Sequence, residues 1–373
     1  MASPTTDAGI LLPLSFTGPM RRFAPRLLLF ATLAGITAGA EASRSPPLPG
    51  PAPQARSAGY DVAAENHFCA SCHTEIAAEW QGSMHHSSWD DGVFQTAYAV
   101  EPIAFCRNCH VPEADPNEMP AEDARRLGIG CVTCHVESGE VVGSHARGAT
   151  KEHHAVRGDA RLATSSACER CHQFEFPEPQ RAPMQSTADE HQVSKHATES
   201  CQHCHMLPVV GEAGVRHRSH DFRVIGNPAL LRSALLASGS RIDERAVNVA
   251  LAAARVGHAF PTGDMFRRLE VRAQIVGEGG AEARPVVLSR RFEMAMGNHG
   301  PERKQIGDDR LAATAETRDV RLQFSEALAG RAVNWQVVYQ RMDAGMATAF
   351  GLDPVADEVV VADGLIPAES LHR

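Results

Sequence analysis

The sequence predicts an α+β chain, with a mainly helical and looped domain wrapped around bound prosthetic groups and then a β-sandwich-like domain. Three observations carry this reading. All ten cysteines fall between Cys69 and Cys204. Aromatic content is only 5%, low for a chain of 373 residues that must build a large core from its own side chains. Beyond about residue 243 cysteine is absent, and apolar residues alternate with polar ones in run after run.

Taken in order, the first segment reads as an export signal over residues 1–42. Arg21, Arg22 and Arg26 precede the apolar run "LLLFATLAGITAGA", Leu27 to Ala40, and Ala40-Glu41-Ala42 fits a small-x-small cleavage site. The run is short for a bilayer span, so no membrane span is expected after cleavage; an uncleaved anchor is the alternative. Met20 offers a second start. Residues 43–59, containing "SPPLPGPAPQ", read as a proline-rich disordered linker. The charge balance, 36 Lys+Arg against 45 Asp+Glu, gives no basic stripe and hence no expectation of nucleic acid.

Residues 60–222 carry the chemistry. The cysteines pair as Cys69/Cys72, Cys106/Cys109, Cys131/Cys134, Cys168/Cys171 and Cys201/Cys204. Each pair is C-x-x-C, and each is followed by a histidine: His73, His110, His135, His172 and His205. Two thiols at this spacing reach the two vinyl groups on one haem edge, and the next residue turns its imidazole onto the iron. Disulfides do not require a histidine after every pair, and zinc knuckles do not use one here. The motifs recur every 25 to 37 residues, too closely for each segment to bury an ordinary core. Five covalently bound haem c groups are therefore expected to act as the core of a multihaem domain.

Haem iron has a second axial position, and fourteen of the nineteen histidines remain to fill it. "EWQGSMHH" and "EHQVSKHA" share the frame Glu-x-Gln-x-Ser-x-His, which picks out His85 and His196. His145 follows on a short glycine-containing loop, with His153 and His154 as competitors; His220 is preferred over His217 in "HRSHDF". A last candidate, His258, opens the tight loop "VGHAFPTGD". Its plain reading is an exposed residue at a turn, and its sharper one a distal ligand supplied by the second domain. Methionine ligation is weaker, and no Cys-x-x-Cys-Lys variant is present.

Residues 223–242 read as a connecting helix built on "NPALLRSALLAS". Residues 243–373 read as the β-sandwich-like domain. In "LEVRAQIV" Leu269, Val271, Ala273 and Ile275 face one way; in "VNWQVVY" Val333, Trp335, Val337 and Tyr339 do. "VNVAL", "RPVVLSRRFEM", "VRLQF" and "DEVVVAD" complete about six strands.

The stretches "FCASCHTEIAAEWQGSMHHS", "FCRNCHVP", "GIGCVTCHVESGE" and "MQSTADEHQVSKHATESCQHCHMLP" resemble the multihaem cytochromes c related to the tetrahaem electron carrier of hydroxylamine oxidation. In that family the histidine of the W-x-x-S-x-H frame is a distal ligand, which the resemblance carries to His85. The second copy departs by having His191 in place of tryptophan. "SHDF" and "GHAFPTG" resemble a subgroup with an added C-terminal β-domain, which implies ligand roles for His220 and His258. The likeness covers roughly residues 60 to 270, and the family includes both carriers and enzymes.

The expectation is a periplasmic or otherwise exported pentahaem cytochrome that passes electrons between closely spaced, mostly bis-histidine haems to redox partner proteins. An oxidoreductase acting on a small nitrogen or sulfur compound at one open haem is the alternative, as is a subunit of an extracellular electron conduit.

Overall fold

Four short helices of the first half carry a haem-type motif, and a fifth runs into one. In a helix, residues i, i+3 and i+4 share one face. A Cys-x-x-Cys-His segment that turns helical therefore presents both thiols and the imidazole to the same side. Ala104–His110, Cys131–His135, Ser166–His172 and Cys201–His205 are such helices, and Val62–Cys72 ends with His73 as its C-cap.

The computed structural model describes residues 61–368 except 116–117, 152, 178–181, 213, 223, 298–299, 315 and 357. The expected export signal and proline-rich linker lie outside the described residues, as do His299 and His372. The described residues belong to one compact unit. The architecture is mixed α+β. No helix among the described residues is long and apolar enough to cross a membrane.

Helices, loops and short two- and three-stranded ribbons occupy the first half. Its own apolar clusters are small: Val132 with Val136, and Trp89 with Tyr98 and Val111. The buried residues of the large core all lie from Leu231 onward.

That core is enclosed by two sheets. The five-stranded sheet runs in the order Gly300–Asp308, Val286–Gly297, Arg268–Ile275, Val333–Gln340, Val359–Ile366. The three-stranded sheet runs Thr317–Gln323, Ala246–Ala253, Leu235–Asp243. Neighbours in both are antiparallel. The alternation read from the sequence matches the buried faces. Leu269, Val271, Ala273 and Ile275 are buried, as are Val333, Trp335, Val337 and Tyr339, and they share one core with Val247, Val249 and Leu251 of the other sheet. Trp335 needs two glycines beside it: a Cβ at Gly239 would lie 2.3 Å from its indole nitrogen, and one at Gly364 2.6 Å from its ring.

Two elements differ from expectation. The connecting helix covers only Pro228–Ser233, capped by the Asn227 side chain; Leu235 onward already belongs to a strand. Leu235 through Ser238 pair with Ala250 through Ala253, so ladder hydrogen bonds override a helix-prone composition. The strand Gly300–Asp308 was not expected, because "GPERKQIGD" is polar on both faces; it forms the edge of its sheet and is held by pairing with Val286–Gly297.

The second half grips the first through arginines. Arg341 makes a bidentate pair with Asp91, both contacts at 2.7 Å, and both side chains are largely buried. Arg290 donates to the carbonyls of Pro183 and Met184 at 2.9 and 2.7 Å. Arg310, 4% exposed, binds Glu190 at 2.6 Å and Asp308 at 2.7 Å.

Candidate haem centres

All ten motif cysteines are free of disulfides. Burial pushes the thiols of Cys106, Cys131 and Cys134 up to about 11, opposite to the depressed value a redox-active dithiol requires. Cys201 is the exception, lowered by the neighbouring Cys168 thiol, whose own value is raised by the same interaction. Among the described residues no three His, Cys, Asp or Glu side chains converge as a zinc centre would require.

What the fold builds instead is a set of imidazole pairs. His73 faces His154 with ring centroids 6.2 Å apart, and His85 faces His172 at 6.3 Å. His135 faces His220 at 6.2 Å, and His205 faces His258 at 6.2 Å. An imidazole nitrogen sits about 2 Å from a bound first-row metal, with its ring centroid about 1.1 Å farther back, so two imidazoles on opposite sides of one ion stand about 6.2 Å apart. Four pairs at this one spacing, with no third protein donor in reach, fit an ion whose remaining ligands come from a macrocycle.

The second nitrogen of most of these rings is committed elsewhere. Nδ1 lies against a carbonyl oxygen in His135 (Val142, 3.0 Å), His154 (Ala155, 3.0 Å), His220 (Arg218, 2.8 Å) and His258 (Ala259, 3.0 Å). His172 Nδ1 lies 3.4 Å from the Gln185 side-chain oxygen. A carbonyl can only accept, so Nδ1 carries the proton and Nε2 is the free lone pair, the arrangement found around metal-binding histidines. Burial lowers His85 to about 3 and His258 to about 4, and lowers His73, His172, His205 and His220 as well. These imidazoles are held neutral, the form that ligates.

The sequence candidates fare differently. His85, His220 and His258 each face a motif histidine. His145 does not; the ring opposite His73 is His154. Arg147 and Val156 exchange both backbone hydrogen bonds, folding the intervening loop back so that His154, not His145, returns to the first motif. His196 also faces no motif histidine among the described residues. Its Nδ1 lies 3.3 Å from Glu199, because the turn closed by the Glu199 N–H on the His196 carbonyl holds the ring beside its own neighbours. His217, the rival of His220, spends Nε2 on Glu79 at 3.1 Å.

The second motif stands apart. Among the described residues the ring that faces His110 is Phe94, stacked at 3.6 Å and 8°. His110 Nδ1 lies 2.6 Å from the Ser88 carbonyl, which again leaves Nε2 free. Burial lowers His110 too. Phe94 lies over the ring face and does not occupy the Nε2 edge. The sequence reading gave no hint of this stack.

Neighbouring motifs pack against one another. The Cys168 and Cys201 thiols influence each other's ionisation, as do those of Cys109 and Cys171. The Cys131 N–H is capped by the Asn66 side chain at 2.7 Å, and the Cys201 N–H by Ser165 at 3.2 Å.

Comparison with known proteins agrees with this chemistry. The family model described as cytochrome c554 and c-prime matches residues 68–136. The fold is similar to that of a penta-heme cytochrome c552 from Thermochromatium tepidum, with a TM-score of 0.62 and 20% identity over 82% of this chain and 98% of that one. No curated protein matches the chain. The family-model match covers well under half of the chain, and at 20% identity the structural likeness is one of fold.

Proposed function

We propose that this chain is an exported pentahaem c-type cytochrome that transfers electrons between protein partners. The observation that carries the reading is the shared spacing of about 6.2 Å in four imidazole pairs. Cys69/Cys72, Cys106/Cys109, Cys131/Cys134, Cys168/Cys171 and Cys201/Cys204 would hold the haems, with His73, His110, His135, His172 and His205 as proximal ligands. His154, His85, His220 and His258 are the distal ligands assigned to the first, fourth, third and fifth motifs. Bound haem supplies a one-electron couple whose potential follows axial ligation, burial and hydrogen bonding. The protein's part is to keep the imidazoles neutral, fix their tautomers and hold the motifs close together. Intact mass of the mature protein is expected to exceed the polypeptide by five haems; four would show that one motif is unused.

The ring angles give a second expected result. His205 and His258 are nearly parallel at 11°, whereas His73 and His154 are inclined at 71°. Parallel axial imidazoles split the iron orbitals more than crossed ones. Electron paramagnetic resonance of the oxidised protein should therefore contain both an ordinary rhombic low-spin signal and a strongly anisotropic one. Four identical rhombic signals would contradict the assigned pairs.

The His110 environment favours one addition. Among the described residues no histidine ring stands opposite His110 at the spacing of the other four pairs, so the second motif is the place for a haem without a distal imidazole, the position at which a small ligand binds. The oxidised wild-type protein is expected to bind cyanide at one haem, and His110 is the proximal histidine concerned. Turnover of nitrite or hydroxylamine at that haem would move the reading from carrier to enzyme.

A further inference from the structure

The Glu-x-Gln-x-Ser-x-His frame occurs twice, and the structure gives the two copies the same connections. In the first, the Trp80 indole donates to the Ile129 carbonyl at 2.8 Å; in the second, His191 Nε2 lies 2.8 Å from the Glu199 carbonyl. Ile129 and Glu199 occupy the same place, two residues before the first cysteine of the next motif in the module. The backbone bond from Ile129 to His85, 3.0 Å, is repeated from Glu199 to His196, 2.9 Å. The caps on Cys131 and Cys201 come from Asn66 and Ser165, each three residues before the first cysteine of the module's opening motif. The chain thus contains two equivalent two-motif modules, and the substitution of His191 for tryptophan keeps the same contact.

The first residue of each frame is the glutamate, and each glutamate holds a different loop. Glu79 accepts from the backbone N–H of His220 at 2.8 Å and lies 3.1 Å from His217 Nε2. Glu190 accepts from Thr262 at 2.6 Å and from Arg310 at 2.6 Å, and His191 Nδ1 next to it lies 2.7 Å from the Gly257 carbonyl. Both loops carry the same short pattern, His220-Asp221-Phe222 and His258-Ala259-Phe260. Each presents its histidine to the second motif of the same module, His135 and His205.

We infer that Glu79 and Glu190 are paired positioning residues: each carboxylate anchors the loop that delivers the distal histidine to the second haem of its own module. The inference rests on the ligand assignment proposed above. The duplication explains why a glutamate opens both frames although only the first frame's histidine, His85, faces a motif histidine. It also explains how loops far apart in sequence, one of them in the β region, arrive at equivalent sites. A carboxylate suits this task because it has acceptor sites for two donors at once, and an alanine would remove the acceptor that each pair of donors shares.

The test uses the full-length holoprotein and reads haem number by intact mass and spin state by electron paramagnetic resonance. His220→Ala and His258→Ala first establish the ligand assignment: each should keep five haems and lose one low-spin signal. Glu79→Ala should then diminish the same signal as His220→Ala, and Glu190→Ala the same signal as His258→Ala, with haem number unchanged. Adding Glu79→Ala to His220→Ala should change nothing more, since both act on one ligand. Glu79→Gln keeps one acceptor and should restore most of the signal. If the histidine variants behave as stated but both glutamate variants retain wild-type spectra, the positioning role is wrong while the ligand assignment stands. If the histidine variants leave the spectra unchanged, the ligand assignment itself has failed.

Discussion

Replacing Arg341 by alanine is expected to cost about 3–5 kcal/mol of stability, the penalty for leaving a buried partner charge uncompensated. Arg341 and Asp91 are 9% and 14% exposed, and their two contacts are both 2.7 Å. Burial alone would raise the Asp91 carboxyl; the Arg341 fork overrides it and holds the group below its ordinary value. Asp91 also caps the helix Gly92–Val100 by accepting from the Phe94 N–H, and Phe94 is the ring stacked on His110. Loss of the arginine should therefore loosen this helix first. Urea denaturation of the variant and of the Arg341→Ala/Asp91→Ala double variant checks the claim: the double variant should cost less than the sum of the singles. The sign of the pH dependence follows from the depressed carboxyl. The pair's contribution is fully present above about pH 4, the unfolded value, and shrinks as pH falls through the lower folded value. The gap between wild type and Arg341→Ala should narrow in the same direction. A gap that widened in acid would contradict the pairing.

The second large effect is expected at His258. Its alanine variant should keep five covalent haems, because thioether attachment involves Cys201 and Cys204 and not the distal side. It should convert one low-spin centre to high spin, the centre of the fifth motif, and remove the signal assigned to nearly parallel rings. His258 stands just before Phe260, which is buried in the β-sandwich core. Truncation after Ser240 removes His258 together with Arg290, Arg310 and Arg341. It should thus lose this centre and also strip Asp91, Glu190 and the Pro183 and Met184 carbonyls of their partners. A truncated protein with wild-type spectra and stability would make the β region a detachable module.

The motif geometry was legible because it is local. Two cysteines and a histidine within five residues already define a helical face, whatever surrounds them. The β-strand alternation was legible for the same reason, as Leu269 to Ile275 and Val333 to Tyr339 illustrate. The imidazole pairing was only partly legible, because the ring that faces a motif histidine is brought there by loops that fold back from elsewhere. His154, not His145, comes to face His73 through the Arg147–Val156 pairing, which no local pattern announces. His196 shares its frame with His85 but not its destination. In the first copy the chain leaves His85 and returns at Ile129; in the second it runs straight into Cys201, and Glu199 keeps the ring beside it. The frame was a true repeat whose common element is the glutamate's grip on a loop as much as the histidine. The strand Gly300–Asp308 was missed because an edge strand needs pairing more than it needs apolar alternation.

The central claim is one set of five haems with four imidazole-capped irons and one iron, that of the second motif, without a distal imidazole. Quantitative electron paramagnetic resonance of the oxidised wild-type protein tests it most directly. The account predicts one high-spin iron for every four low-spin irons, with the high-spin signal alone shifting on addition of cyanide. A spectrum with no high-spin iron, or with more than one per chain, would contradict it.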